Sequence, residues 1–560
     1  MKTVDKRWEI IGNHKKAIEE LTEEEIITTL LANRGLTKEK DIEEFLHPRL
    51  ENVTIASVGI DKKQLKKAID RIKRAIANKE QVVIYGDYDV DGIGGSAILW
   101  ETLHDLGAEV LPYIPHRIDE GYGLSKAGIS NIKVQMPNIK LIITIDNGIV
   151  AYDAVDFANK NGIDVIITDH HVVSETLPNA LAIVHTTKLC GTGVGWMLSL
   201  ALREEFGVKN SEENHLELVA LATIADLVPL IGANRVVTKF GLWALQKTKR
   251  LGLRALFQEA GIDKTPITTY EVGHMIAPRL NAMGRLESAM DSLRLLCTKD
   301  RNRAHILAHK LASTNKERQV VTEETILHAK TAVINGKLET RKLLFITHET
   351  YQQGVIGLVA GKLVEEFYRP AIVISKGDKF SKASARSVAG FNIIEFIRSA
   401  SEFLVDAGGH PMAAGFTVET EKLLLLQRKL EELAEKLIDA KQHITRLLRI
   451  DCEINFANIT QELYMRLAQF EPFGMQNPQP VFLTKNVVVE EMRLVGQEGR
   501  HIKFRLSQGG HVFHVIAFGF GKRASEFTIG STFDIAYTID EDRWNGNKKL
   551  QLKIKDIKKS

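Results

Sequence analysis

VVIYGDYDVDGIGGS, residues 82–96, is a run of four apolar residues followed by Asp87, Asp89 and Asp91 at alternate positions and then by Gly92, Gly94 and Gly95. A short β-branched and aromatic run bounded this sharply reads as a strand buried on both faces. Two more runs have the same shape. LIITI, residues 141–145, is followed by Asp146-Asn147-Gly148, and VIIT, residues 165–168, by Asp169-His170-His171. The stretches between them read as helices, so the three runs predict a parallel sheet in an α/β domain. In such open sheets the ligand site lies beyond the carboxyl ends of the strands, and all three polar clusters fall at that edge.

In extended backbone alternate side chains share one face, which predicts that Asp87, Asp89 and Asp91 point the same way. Three carboxylates so close raise one another's pKa unless a cation compensates, and the economical reading is a site for a hard divalent metal. The glycines then permit close backbone approach, and a helix expected to begin near Ser96 aims its N-terminus at a bound anion. A solvated acidic turn accounts for one such motif but not for three. Of the adjacent histidines, one is expected to bind metal and the other to face a substrate phosphate, the alternative being two structural histidines. Asp226 lies in the apolar run LVALATIADLVPL, where an unpaired buried carboxylate is costly. It too is a ligand candidate, with a helix cap as the alternative.

The rest of the chain is read around this centre. At 560 residues, 44% hydrophobic and 26% charged, the protein must have several domains and is neither disordered nor fibrous. Lys+Arg 74 against Asp+Glu 71 nearly cancel, so any surface for a polyanion must be local. Cys190, Cys297 and Cys452 are far apart without Cys-x-x-Cys spacing, which argues against a disulfide framework or a cysteine zinc site. With no apolar leader and no long uncharged apolar run, a soluble cytoplasmic protein is expected.

Thr22 and Glu25 form a possible capping box in a helical lead-in over residues 1–60. An amphipathic helix over 62–79 opens the α/β domain, expected over 61–300. A polar helix from Asn302 to Ile334 connects it, within 301–338, to a smaller α/β domain over 339–449 that ends in a charged helix from Thr420 to Leu448. Five strand-like segments over 450–560 suggest an OB-like β-barrel. There Phe504, Phe513, Phe518 and Trp544 interleave with Lys503, Arg505, Lys522 and Arg523, a pattern that suits single strands, although core packing accounts for at least half of such aromatics. The basic KIKDIKK terminus reads as an edge-strand guard or part of a nucleic-acid path.

GDYDVDG, TIDNG, TDHH and IADLVPL, in this order, resemble the four metal-binding motifs of the DHH phosphoesterase family. HRIDEGYGL from His116, PRLNAMGRLE from Pro278, SARSVAGFN from Ser384 and GGHPMAAGF from Gly408 extend the likeness, the last two to the DHH-associated domain. The resemblance implies a two-metal hydrolase using Mn²⁺ or Mg²⁺ that degrades single-stranded DNA from the 5′ end, in repair and recombination. It implies a metal cluster of Asp87, Asp89, Asp91, Asp146, His170 and Asp226, with Asp146 bridging; which of the first three are direct ligands stays open. Asp146, Asp169 and His171 become the catalytic candidates. Arg117, Arg279, Asn281 and Arg285 become substrate contacts. So do Ser384, Arg386 and Ser387, and an anion nest at Gly408-Gly409 beside His410. Partners implied are single-stranded DNA, a single-stranded-DNA-binding protein and a repair helicase, for a monomer without a membrane. The rival readings are a DHH phosphoesterase for short RNA, cyclic dinucleotides or polyphosphate, and a non-catalytic single-strand-binding scaffold.

Overall fold

Val82, Val83, Ile84 and Tyr85 are buried, and the strand they form, Gln81–Gly86, lies inside a five-stranded parallel sheet. The order across the sheet is Glu109–Tyr113, Gln81–Gly86, Ile139–Ile145, Asp164–Asp169, Ala182–His185. The three expected strands are central. The two outer ones went unread because EVLPY carries a proline, which an edge position tolerates, and AIVH is only four residues long. Strand order reverses beside Gln81–Gly86, so the crevice between it and Ile139–Ile145 is the switch point where such sheets bind ligands. Asp87 and Asp146 follow these two strands.

The computed structural model describes residues 6–12, 18–117, 120–209, 215–542 and 549–560, which divide into two compact units. The first comprises residues 49–444 and 474–476. It holds the parallel sheet, the 35-residue connecting helix Arg301–Asn335, and a second five-stranded sheet. That sheet runs Leu404–His410, Ala413–Glu419, Phe380–Arg386, Ala371–Ser375, Leu344–His348, with only the last two strands parallel. The charged stretch after it is shorter than expected: the helix is Leu423–Leu437, and Leu447–Ile450 is a strand paired in parallel with Arg7–Ile10.

The second unit comprises residues 1–48, 445–473 and 477–560. Its barrel has the five expected strands, Phe482–Val495, His501–Gln508, His511–Ala517, Thr532–Asp542 and Lys549–Lys559, closed by pairing of the first with the fourth. Lys549–Lys559 pairs with Thr532–Asp542 along its length but with His511–Ala517 only over Gln551–Lys553, so most of the basic terminus has one paired side. The lead-in does form the Thr22-capped helix Glu23–Asn33, but Ile26, Ile27, Leu30 and Phe45 share one apolar core with Phe456, Phe482 and Phe504 of the barrel unit. Phe504 is core, Phe513 packs edge-on against Phe456, and Phe518 is exposed against His501. Trp544 lies outside the described residues. No helix among the described residues is long and apolar enough to cross a membrane.

Candidate active site

The helix after Gln81–Gly86 begins at Val90, not near Ser96. Asp89 is its N-cap: one carboxylate oxygen accepts from Asp91 N at 2.9 Å and Gly92 N at 3.1 Å. The three aspartates are therefore not one extended run, and shared strand pleat does not unite them. Asp91, inside the first turn, instead accepts from Gly191 N at 2.7 Å and Thr192 N at 2.6 Å, which joins the N-termini of two helices, Val90–Asp105 and Gly191–Glu205. The glycines serve packing. A Cβ on Gly92 would stand 2.4 Å from Asp87 N, and one on Gly95 2.5 Å from Ile145 Cγ2.

The second strand ends in Asp146, whose φ of +62° turns its carboxylate into the crevice. The turn is wired in place: Thr144 donates to the Asn147 carbonyl, and Asn147 donates to the carbonyls of Tyr85 and Ile145. The third strand ends in Asp169, which is buried. Its oxygens accept from His170 N, His171 N and Ile149 N and face His171 Nδ1 at 2.8 Å. Asp169 is thus held against the His171 ring. Asp226 is the C-cap of Leu216–Ala225, the negative end of a helix dipole, where a carboxylate is disfavoured unless a cation offsets it.

These elements bring donor atoms of Asp87, Asp89 and Asp146 within 4.8 Å of one another, and likewise those of Asp91, His170 and Asp226. His170 Nε2 stands 3.1 Å from Asp146 Oδ1 and 3.6 Å from both Asp91 and Asp226. Burial first, then neighbouring carboxylates, raises the pKa of Asp87 and Asp146 well above the usual range and that of Asp226 to about 9. Asp87 Oδ1, Asp146 Oδ1 and His170 Nε2 are buried without hydrogen-bond partners. Mutually repelling acids with orphaned oxygens and a neutral imidazole nitrogen form a donor set that fits divalent cations. Burial disfavours a charged His171, but the hydrogen bond and charge of Asp169 outweigh it and its pKa is raised. Tyr122, which the sequence reading passed over, donates to the Asp146 carbonyl at 3.0 Å and lies 3.2 Å from His171 Nε2.

A cluster of arginines belongs to the same unit. The Arg285 guanidinium donates to the Gly354 carbonyl, and its pKa falls to about 10 through burial and the charges of Arg117, Arg318 and Arg386. Arg386 donates to Ser384 Oγ at 3.1 Å, and Arg117 stacks on Tyr88 with its guanidinium 4.8 Å from the ring centroid. Arg318 carries no sequence signal, being one cation on a long polar helix. The other expected contacts separate from this cluster. Arg279 donates to the Met275 carbonyl and feels Glu259. Asn281 Oδ1 accepts from Val90 N and so holds the aspartate-bearing helix. Ser387 is buried and donates to the Phe391 carbonyl, so it is not a free phosphate donor. Gly408 and Gly409 lie in the edge strand Leu404–His410, paired with Gly415 and Ala414, with Gly409 at a φ of +141°. His410, at its end, stacks on His171 with ring centroids 6.1 Å apart and planes 13° apart.

Residues 81–223 match the N-terminal domain of the DHH family, residues 338–440 the DHHA1 domain and residues 450–556 the RecJ OB domain. The chain is 36% identical to the single-stranded-DNA-specific exonuclease RecJ of Bacillus subtilis (strain 168), over 98% of this chain and 70% of that one. It is 30% identical to RecJ of Escherichia coli (strain K12), over 95% of each. The crystal structure of RecJ in complex with Mn²⁺ from Thermus thermophilus superposes with a TM-score of 0.83 at 30% identity, over 99% of this chain and 80% of that one. The corresponding Mg²⁺ complex gives 0.76 at 28% identity, over 99% of this chain and 78% of that one. Three domain matches in chain order, with full-length relatives on both sequence and structure, mean that this chain belongs to the RecJ family of single-stranded-DNA-specific exonucleases.

Proposed function

We propose that the protein hydrolyses single-stranded DNA from its 5′ end and releases nucleoside 5′-monophosphates, with Mn²⁺ or Mg²⁺. The observation that carries this reading is the buried donor cluster at the switch point, in which Asp146 belongs to one group with Asp87 and Asp89 and to another with His170 and His171. Asp87, Asp89, Asp91, Asp146, His170 and Asp226 would hold two divalent cations, with Asp91 also fixed by two backbone N–H groups. Such ions polarise water and offset the charge on a phosphodiester.

The chain supplies the rest. His171, whose pKa Asp169 raises, faces the same carboxylates and is placed to donate to a phosphate oxygen as negative charge builds there. Tyr122 orients it. Arg117, Arg285, Arg318 and Arg386 form a pocket for a terminal phosphate, whose two charges suit several guanidinium groups. Attack of water on phosphorus breaks the bond to the 3′ oxygen, so each cut leaves a new 5′ phosphate on the shortened strand. The same pocket then receives it, which fixes polarity.

In the barrel unit, a groove of about 460 Å³ lined by Met492, Arg493, Lys503, Arg505 and His514 suits the distal strand. A single-stranded-DNA-binding protein and a repair helicase are the partners proposed from family membership, and a cytoplasmic monomer is the proposed state. Purified protein with 5′- and 3′-labelled single-stranded and duplex oligonucleotides, with and without Mn²⁺, tests polarity, substrate and metal need together. Asp146→Ala should abolish cleavage, and activity surviving it with Mn²⁺ would overturn the two-metal assignment.

A further inference from the structure

Leu227 follows Asp226 directly and is 65% exposed, with a left-handed φ of +57°. That backbone costs a side chain of this bulk about 1–2 kcal/mol, and neither glycine nor asparagine stands there to relieve it. The strain is held from both sides. Leu227 N donates to the Ile224 carbonyl at 3.3 Å, while Leu230 is buried and its N–H donates to the Met475 carbonyl at 2.8 Å. Ile231, next in line, is 48% exposed. Leu227 is the residue past the C-cap of Leu216–Ala225, where left-handed backbone commonly ends a helix, and its side chain is kept in water and contributes nothing to the core.

We propose that Leu227, flanked by Ile231, is the surface on which the nucleobase adjoining the scissile phosphate rests. The inference depends on the exonuclease reading above and names a specificity-determining contact of that site. Consecutive Cα atoms are about 3.8 Å apart, so the leucine side chain lies within one nucleotide of a phosphate held beside the Asp226 carboxylate. One step from a phosphate, a nucleotide offers its sugar and its base. Every base has an apolar face, so an aliphatic platform grips all four without reading sequence. In a duplex that face is covered by stacking and pairing, so the contact is open only to single strands.

The test uses the full chain and the variants Leu227→Asn and Leu227→Gly, both suited to left-handed backbone. Substrates are a 5′-phosphorylated oligothymidylate and the same strand with one abasic nucleotide at the first, second or third position. The wild type should cut one of the abasic strands about five-fold more slowly, the variants should lose about that factor on the intact strand, and their discrimination should vanish. Their melting temperatures should equal or exceed that of the wild type. Anisotropy measures the same ratio in binding, independently of cleavage. A wild type that discriminates in binding but does not cut overturns the exonuclease reading and leaves the leucine contact standing. Equal handling of intact and abasic strands by wild type and variants overturns the contact.

Discussion

Asp169 and His171 form a pair, with His171 Nδ1 2.8 Å from the carboxylate. Asp169 is buried, and its hydrogen bond and negative charge raise the pKa of the His171 imidazole. Asp169→Asn removes that charge while nearly preserving shape. We expect kcat to fall by about 10²–10⁴-fold, with KM for DNA little changed. The sign of the pH effect is fixed: Asp169 raises the pKa of His171, so without it the imidazolium is lost at lower pH and the alkaline limb of kcat moves toward acid. An unmoved limb would remove His171 from the charge-stabilising role. At the proposed phosphate site, Arg318→Ala should weaken binding of a 5′-phosphorylated strand by about ten-fold or more, as the loss of a charge-assisted hydrogen bond implies. A 5′-hydroxyl strand should be unaffected; equal losses on both would make Arg318 a general backbone contact.

At the scale of elements, the active site is a set of helix and strand ends held at short range. Helix Val90–Asp105 can approach the strand end because Gly92 has no Cβ to meet Asp87, and Asn281 pins its first turn from a distant helix. Gly92→Ala should therefore cost about 1–3 kcal/mol of stability and displace Asp87, with activity and metal affinity falling together. Gly361, inside the helix Ile356–Phe367, has nothing within 4 Å of a built Cβ. Gly361→Ala should stabilise by about 0.5–1 kcal/mol with activity intact. Thermal melts of both variants with metal titrations check the contrast, and a harmless Gly92→Ala would mean that the helix can shift without disturbing the cluster.

At the scale of the whole molecule, the cluster lies in one of two compact units. Its carboxylates repel in the metal-free protein, so cations that bind only the folded state should stabilise that unit by about 2.7 kcal/mol at a hundred times their dissociation constant. Calorimetry with and without Mn²⁺ should show the transition of the unit holding residues 49–444 rise and return on chelation, with the transition of the barrel unit unmoved. A shift of both transitions together would show that the units unfold as one.

The sequence by itself determined the buried strands, the barrel and the residue types at the carboxyl edge. β-Branched runs and period-two alternation are local consequences of which faces leave water, and the acids that follow three strands must lie where the sheet ends. Tertiary structure decided which of these groups converge. Asp91 joins two helix N-termini, Asp169 serves His171, Asn281 caps a helix, Ser387 is buried, and Gly408-Gly409 are an edge strand. Arg318 comes from a long polar helix with no pattern of its own, and Tyr122 from within the HRIDEGYGL motif without being singled out by it. The physical reason is that hydrogen-bond partners and like-charge neighbours are set by packing between distant segments, whereas spacing along the chain encodes only which side of an element is buried.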